Sequence, residues 1–231
     1  MHIGVAILTL NEIDGLREVF SRIPEAYRAN AFAVDGGSTD GTLVFFAEHG
    51  VPVYGQSRRG RGEAFRMAFS QTDYDALVFF SPDGNEDPSD IPVLARAIRE
   101  GADMAIATRM ARDSYNEEDG QVIRPRKWAN QALTLLANGV WNTGALCGRR
   151  PYVTDTINGF RAITREAFEA ATTDAEGYAI EYQLSIRLLK AHRRIVEIPT
   201  RELPRIGGES YATSWATGRR LLAVFLRELA G

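Results

Sequence analysis

The chain has 231 residues, 45% of them hydrophobic and 25% charged, with a formal net charge of −3. That balance fits one domain of generous size with ample core material. It offers no bulk attraction for nucleic acid or acidic lipid, although a local basic patch stays open. The lone Cys147 rules out an internal disulfide and fits a reducing, cytoplasmic setting.

The chain opens on MHIGVAILTLNE, which lacks the basic segment and small-residue cleavage site of a secretory signal. Residues 2–10 are a β-rich run, and the spacing of Ile13, Leu16, Val19, Phe20 and Ile23 predicts a helix over 12–23. AFAVD (31–35) is the second strand, and a helix begins near Ser38 or Thr39 as cap and stops at Gly50. A short strand (51–55), a helix (60–72), a fourth strand (75–81), a helix (88–101) and a fifth strand (103–109) follow. This alternation predicts an α/β fold with a mostly parallel, three-layer sheet, whose ligands gather at the carboxyl ends of the strands. Polar clusters stand there: Asn11-Glu12, Asp35 to Asp40, Ser81 to Asp87, and Arg109.

Residues 110–125 have no periodicity, which in a compact domain marks a functional or mobile loop. Residues 126–141 are helical, with Ala129, Leu133, Leu136 and Val140 near one face and Trp128 and Trp141 read as core. The longest uncharged stretch, Trp128 to Gly148, contains Asn130, Gln131, Asn138 and Asn142, whose amides would be unpaired in lipid, so it is not a membrane span. Residues 153–163 look extended and enter a short helix; 179–193 form an amphipathic helix, 194–203 a strand and 214–231 a last helix. That last helix docks on the core by default, with a dimer contact or a lipid surface as alternatives.

The apolar run ALVFF (76–80) empties into SPDGNEDP (81–88). Acids crowded at a strand end repel one another unless a positive charge sits among them. Asp83 and Asn85, two residues apart, are hard oxygen donors suited to Mg²⁺ or Mn²⁺ shared with phosphates and water. Asp87 and Ser89 read as caps for the helix at Pro88. Asp35, with Gly36 and Gly37 behind it, serves either a capped strand–turn–helix junction or the base or ribose of a nucleotide. Cations Arg124, Arg126 and Lys127 oppose the helix dipole where they stand, which favours an anion there.

In order, LTLNE, VDGGSTDGT, RGRGEAF, FFSPDGNEDPSDIP, ATRM, DTINGFRAITREAF and RIGGES resemble the motifs of family 2 glycosyltransferases over nearly the whole chain. The likeness is to the catalytic domains of dolichyl- or polyprenyl-phosphate mannosyl- and glucosyltransferases. It implies a single GT-A domain over 1–231, with a nucleotide-sugar half (1–110) and an acceptor half (111–231), a nucleotide-sugar donor, a Mg²⁺ or Mn²⁺ cofactor, and inversion at the anomeric carbon. By that resemblance Leu8, Leu10, Glu12, Asp35, Ser81, Pro82, Asp83 and Arg109 contact the donor, and Asp83 and Asn85 hold the metal. Arg124, Arg126, Arg161, Glu181, Arg205 and Ser210 face the acceptor, and Asp155, Arg205 and Arg109 are the catalytic set. The sequence departs from the pattern where Gly36 replaces a second acid, Ser81 replaces the first acid of the metal motif, and Tyr211 replaces a lysine expected at the acceptor phosphate.

The implied reaction moves a hexose from a GDP- or UDP-sugar such as GDP-mannose to a lipid phosphate or a saccharide. A sugar hydroxyl would need Asp155 as base, whereas a phosphate monoester, with a second pKa of about 6, would not. A donor-binding partner subunit without turnover and a nucleotidyltransferase are the competing classes. A peripheral membrane contact and a homodimer both stay open.

Overall fold

A computed structural model describes residues 1–206 and 214–230. Seven strands form one sheet: β1 (Ile3–Thr9), β2 (Ala31–Asp35), β3 (Val53–Gly55), β4 (Ala76–Phe80), β5 (Met104–Thr108), β6 (Arg161–Thr164) and β7 (Ile195–Pro199). Their order is β3-β2-β1-β4-β6-β5-β7, parallel throughout except β6, which runs antiparallel to both neighbours. The helices are α1 (Ile13–Val19), α2 (Glu25–Arg28), α3 (Thr42–Glu48), α4 (Arg61–Ser70), α5 (Ile91–Arg99), α6 (Pro125–Trp141), α7 (Thr143–Leu146), α8 (Arg165–Ala171), α9 (Ile180–Lys190) and α10 (Ser214–Ala230). No described helix is long and apolar enough to cross a membrane.

The unbroken hydrophobicity of ALVFF follows from burial on both faces. Leu77 and Phe79 point into a core shared with α4, α8, α9 and α10, where Phe79 stacks on Phe65 with ring centres 3.7 Å apart. Ala76, Val78 and Phe80 point the other way, into a core shared with α1 and α5. This is the expected α/β arrangement with helices on both sides. The chain leaves β1 towards β2 on one side and later enters β4 on the other, so the gap between the carboxyl ends of β1 and β4 is the switch point where such sheets bind ligands.

The segment 153–163 runs into strand β6 and then the short helix α8, in line with its reading as an extended stretch entering a helix; the Thr164 hydroxyl accepts from the Ala167 N–H as the cap of α8. Ser38 and Thr39 do not cap α3; Gly41 does so in the left-handed region, and Asp40 accepts from the Thr42 N–H. Asp87 accepts from the Ser89 N–H, in the capping role read for it.

The largest difference is in α6. Asn130, Thr134 and Asn138, with the following Asn142, at four-residue spacing, join Ala137 on its buried side, and Leu133 and Trp141 pack against the core as expected, while Leu136, Val140 and Trp128 are exposed. The reason is the irregular strand-like segment it covers, whose backbone groups have no sheet partner and need hydrogen bonds. Asn138 donates to the Val153 carbonyl at 2.8 Å and accepts from the Val153 N–H at 3.2 Å; Asn142 donates to the Pro151 carbonyl at 2.9 Å. Asn138→Ala should therefore cost about 2–4 kcal/mol by stranding buried backbone groups, read as a lowered denaturation midpoint; a change below 0.5 kcal/mol, roughly that of an ordinary surface substitution, would contradict this.

Beyond β7 the chain turns back across the sheet ends. Leu203 N–H donates to the Asn85 carbonyl at 3.0 Å and Ile206 N–H to the Asp83 carbonyl at 2.8 Å. These two bonds deliver Arg205 to the β1–β4 gap.

Candidate active site

At the end of β1, Asn11 adopts φ 57°, a left-handed turn that asparagine tolerates better than most residues. The Glu12 and Ile13 N–H groups donate to the Thr42 hydroxyl and Asp40 carboxylate, which ties this exit to the loop after β2. At the end of β4, Gly84 takes φ 92°, and the Asp83 carboxylate accepts from the Asn85 N–H at 3.1 Å. Gly15 lies against this turn, where a Cβ would overlap the Pro82 carbonyl.

Arg205 joins the two exits. Its Nη2 donates to Glu12 at 2.5 Å and its Nη1 to Asp83 at 2.7 Å. One guanidinium does not balance the acids gathered here. Desolvation, helped by the nearby Asp83, pushes the Glu12 carboxyl up to about 7 despite Arg205. Desolvation also raises Asp83. Glu86, which accepts from the Ser81 N–H at 2.7 Å, is pushed up to about 8 by burial, with Arg61 opposing. Burial, more than like-charge crowding, sets these shifts.

Two further arginine clamps flank it. Arg61, at the start of α4, donates to the Ser81 hydroxyl at 3.1 Å and pairs with Glu181, with the Tyr178 ring beside its guanidinium. The guanidinium packs on the backbone of Gly159, where any Cβ would overlap it. Arg109 donates to Asp155 at 2.9 Å and to Glu202 at 3.0 Å.

The structure thus brings Glu12, Asp83, Asn85, Ser81 and Arg205 together, with Arg109 and Asp155 alongside. Other expected residues stand differently. Leu8 belongs to the hydrophobic core, while Pro82 is buried and Leu10 half-buried. Asp35 is 2% exposed and its carboxylate is taken by the N–H groups of Gly37 and Ser38 and the hydroxyls of Thr9 and Ser38, so it holds the turn together. Arg161 is fully buried and donates to the carbonyls of Thr156, Asn158 and Glu181; burial brings its pKa down to about 10, and it presents nothing to an acceptor. Glu181 is 1% exposed and reaches the site only through Arg61.

Asp155 is also fully buried; burial would raise its carboxyl, but Arg109 outweighs this and holds it below the usual range, a poor proton acceptor at neutral pH. The anion expected at the start of α6 is the protein's own. Glu118 accepts from the Lys127 N–H at 2.9 Å, Arg126 pairs with Glu117, and Arg124 and Lys127 pair with Asp119. Ser210 and Tyr211 lie outside the described residues.

Arg61, Glu86 and Glu202 were not singled out from sequence. For Arg61 the signal was present in RGRG, a cation between two glycines at a helix start. Glu86 is one acid among several in SPDGNEDP, and Glu202 carried no local signal because its partner Arg109 is 93 residues away.

A mostly parallel, doubly wound sheet with an acid-rich switch point defines the class, and comparison supplies the family. The family model described as "Glycosyl transferase family 2" matches residues 4–171, and the chain belongs to that family as a glycosyltransferase. It is 26% identical to the undecaprenyl-phosphate mannosyltransferase of Micrococcus luteus, over 97% of this chain and 93% of that protein. It is 29% identical to glycosyltransferase AglJ of Haloferax volcanii, over 89% of this chain but only 65% of AglJ. It is 26% identical to the dolichol-phosphate mannosyltransferase of Pyrococcus furiosus, spanning 59% of that enzyme. The fold matches glucosyl-3-phosphoglycerate synthase from Mycobacterium tuberculosis, solved with Mn²⁺, UDP and glucosyl-3-phosphoglycerate, with a TM-score of 0.74, 22% identity, and coverage of 99% of this chain and 80% of that one. The sheet is therefore of the GT-A type.

The two raised carboxyls make stability depend on pH. Unfolded, Glu12 and Glu86 would titrate near 4.5. The folded protein holds the extra protons above that value, so their effect is to lower stability as pH rises from about 4.5 to 8. Glu86→Gln, which keeps an acceptor for the Ser81 N–H, should flatten this fall in a series of thermal melts; an unchanged slope would show that Glu86 is not protonated in the folded state.

Proposed function

We propose that the chain transfers a hexose from a GDP- or UDP-sugar to a phosphate-bearing acceptor, a polyprenyl phosphate before others, with Mg²⁺ or Mn²⁺ and with inversion. The observation that carries this reading is the meeting of Glu12 and Asp83 on the single cation Arg205 at the β1–β4 switch point, beside Asn85. Such a site gains from a divalent cation arriving with a nucleoside diphosphate.

The residues present fit that ion. Among the described residues no three His, Cys, Asp or Glu side chains group closely enough to hold a metal alone. The ion would be held by Asp83 and Asn85 and completed by phosphate oxygens, as Mg²⁺ commonly is. When bound, it would offset the charge that develops on the departing diphosphate. Arg205 adds a fixed cation at the same place, and the Arg61 and Arg109 clamps hold the walls rigid, so that little reorganisation accompanies bond breaking.

The acceptor follows from the state of Asp155. Arg109 holds this carboxylate ionised and saturated, so it does not serve as the base that a sugar hydroxyl requires. A phosphate monoester needs none. Its oxygen forms the new bond to the anomeric carbon, the bond to the diphosphate oxygen breaks with its electron pair, and no proton moves. Attack opposite the leaving group inverts the centre. The Micrococcus and Pyrococcus relatives, an undecaprenyl-phosphate and a dolichol-phosphate mannosyltransferase, support this acceptor class, and a solved neighbour carries UDP, Mn²⁺ and phosphoglyceric acid.

The test is release of nucleoside diphosphate from GDP-mannose and UDP-glucose, with Mn²⁺ and a short polyprenyl phosphate. The expected result is metal-dependent turnover that falls about 100-fold or more in Asp83→Ala. Transfer only to a free saccharide would overturn the acceptor. Tight donor binding with no transfer across an acceptor panel would instead favour the partner-subunit reading, for which the loss of the first acid at Ser81 is the motive.

A further inference from the structure

The aspartate assigned to the metal is already engaged. One Asp83 oxygen accepts from Arg205 Nη1 at 2.7 Å, and the other accepts from the Asn85 N–H at 3.1 Å. Arg205 Nη2 holds Glu12 at 2.5 Å, and all three side chains are mostly buried. One guanidinium is thus shared between two carboxylates.

The backbone that carries these groups is held on both sides of Arg205. The Leu203 N–H donates to the Asn85 carbonyl and the Ile206 N–H to the Asp83 carbonyl. Between them Gly84 lies so close to Ile206 that a Cβ there would overlap its side chain. Any adjustment at this point therefore falls to the side chain of Arg205, which is long and has several rotatable bonds.

We propose that Arg205 is a resident counter-cation that yields Asp83 to the divalent ion and pivots on Glu12. A hard cation sits about 2.0–2.6 Å from a carboxylate oxygen. On the Asp83 oxygen that faces Arg205, it would stand within about 4 Å of the guanidinium, where like charges repel. The exchange removes that repulsion. Glu12 keeps the guanidinium, Asp83 gains the ion, and each acid then has a cation of its own. The same competition makes the ion bind weakly by itself, so that it enters best with a diphosphate whose oxygens offset both cations. The proposal rests on the metal placement at Asp83 given above and adds that Arg205 opposes it.

The test is a calorimetric titration of Mn²⁺ alone, without nucleotide, into the parent chain, Arg205→Gln, Asp83→Ala and the double variant that combines them. Arg205→Gln removes a positive charge about 4 Å from the ion and should bind Mn²⁺ about tenfold or more tightly than the parent. The double variant should lose that gain. Arg205→Met, uncharged and of similar length, should match the glutamine variant if glutamine disturbs the fold, and Arg205→Lys, which keeps the charge, should stay near the parent. If Arg205 only braced the two strand ends, its loss would weaken Mn²⁺ binding instead. Binding by both neutral variants no tighter than the parent's, with Asp83→Ala still abolishing it, would overturn the exchange and leave the metal placement standing. A gain that persists in the double variant, or absence of Mn²⁺ binding by every form, would overturn the metal placement and the exchange with it.

Discussion

The double ion pair of Arg205 with Glu12 and Asp83 is the contact on which the site depends. Its partners lie 193 and 122 residues from it in sequence. Without Arg205 the ends of β1 and β4 would present carboxylates to one another across a narrow gap, at the cost that crowded like charges carry. With it, the gap holds two carboxylates against one cation, an imbalance that a metal–diphosphate would relieve.

Much of the remaining structure can be understood as support for this pair. The loops after β1 and β2 are tied together by the Asp40 and Thr42 caps of α1. Gly15 lets α1 lie against the Pro82 carbonyl, and Gly159 lets Arg61 lie against backbone. Fully buried Asp155 and Arg161 shape the 155–161 segment from beneath, the first by clamping Arg109 and the second by gathering carbonyls. Their rigidity is of the kind that lets a charged site act without reorganising.

The sheet was legible in the sequence because its signals are local. Apolar runs such as ALVFF, spaced by amphipathic helices, specify strands buried on both faces, and the polar strand ends mark the switch point. Asp83, Asn85, Glu12 and Arg205 were legible as motif positions. What sequence could not supply was partnership at long range. Asp35 and Arg161 read as ligand-facing, yet their hydrogen bonds turn inward, since a motif position does not reveal where a side chain's donors or acceptors are satisfied. The cations at the start of α6 read as an anion site because the acids that answer them, Glu117 to Asp119, precede a loop without periodicity. Helix α6 misled most plainly. Its leucines suggested the buried face, whereas the unpaired backbone of 151–153 required the asparagines there.

The most direct test of the central claim is a crystal structure with Mn²⁺ and a nucleoside diphosphate, the ion located by its anomalous scattering. The account predicts the manganese signal at the Asp83 carboxylate, shared with the diphosphate, between the ends of β1 and β4. An ion elsewhere, or a nucleotide seated away from this gap, would contradict it.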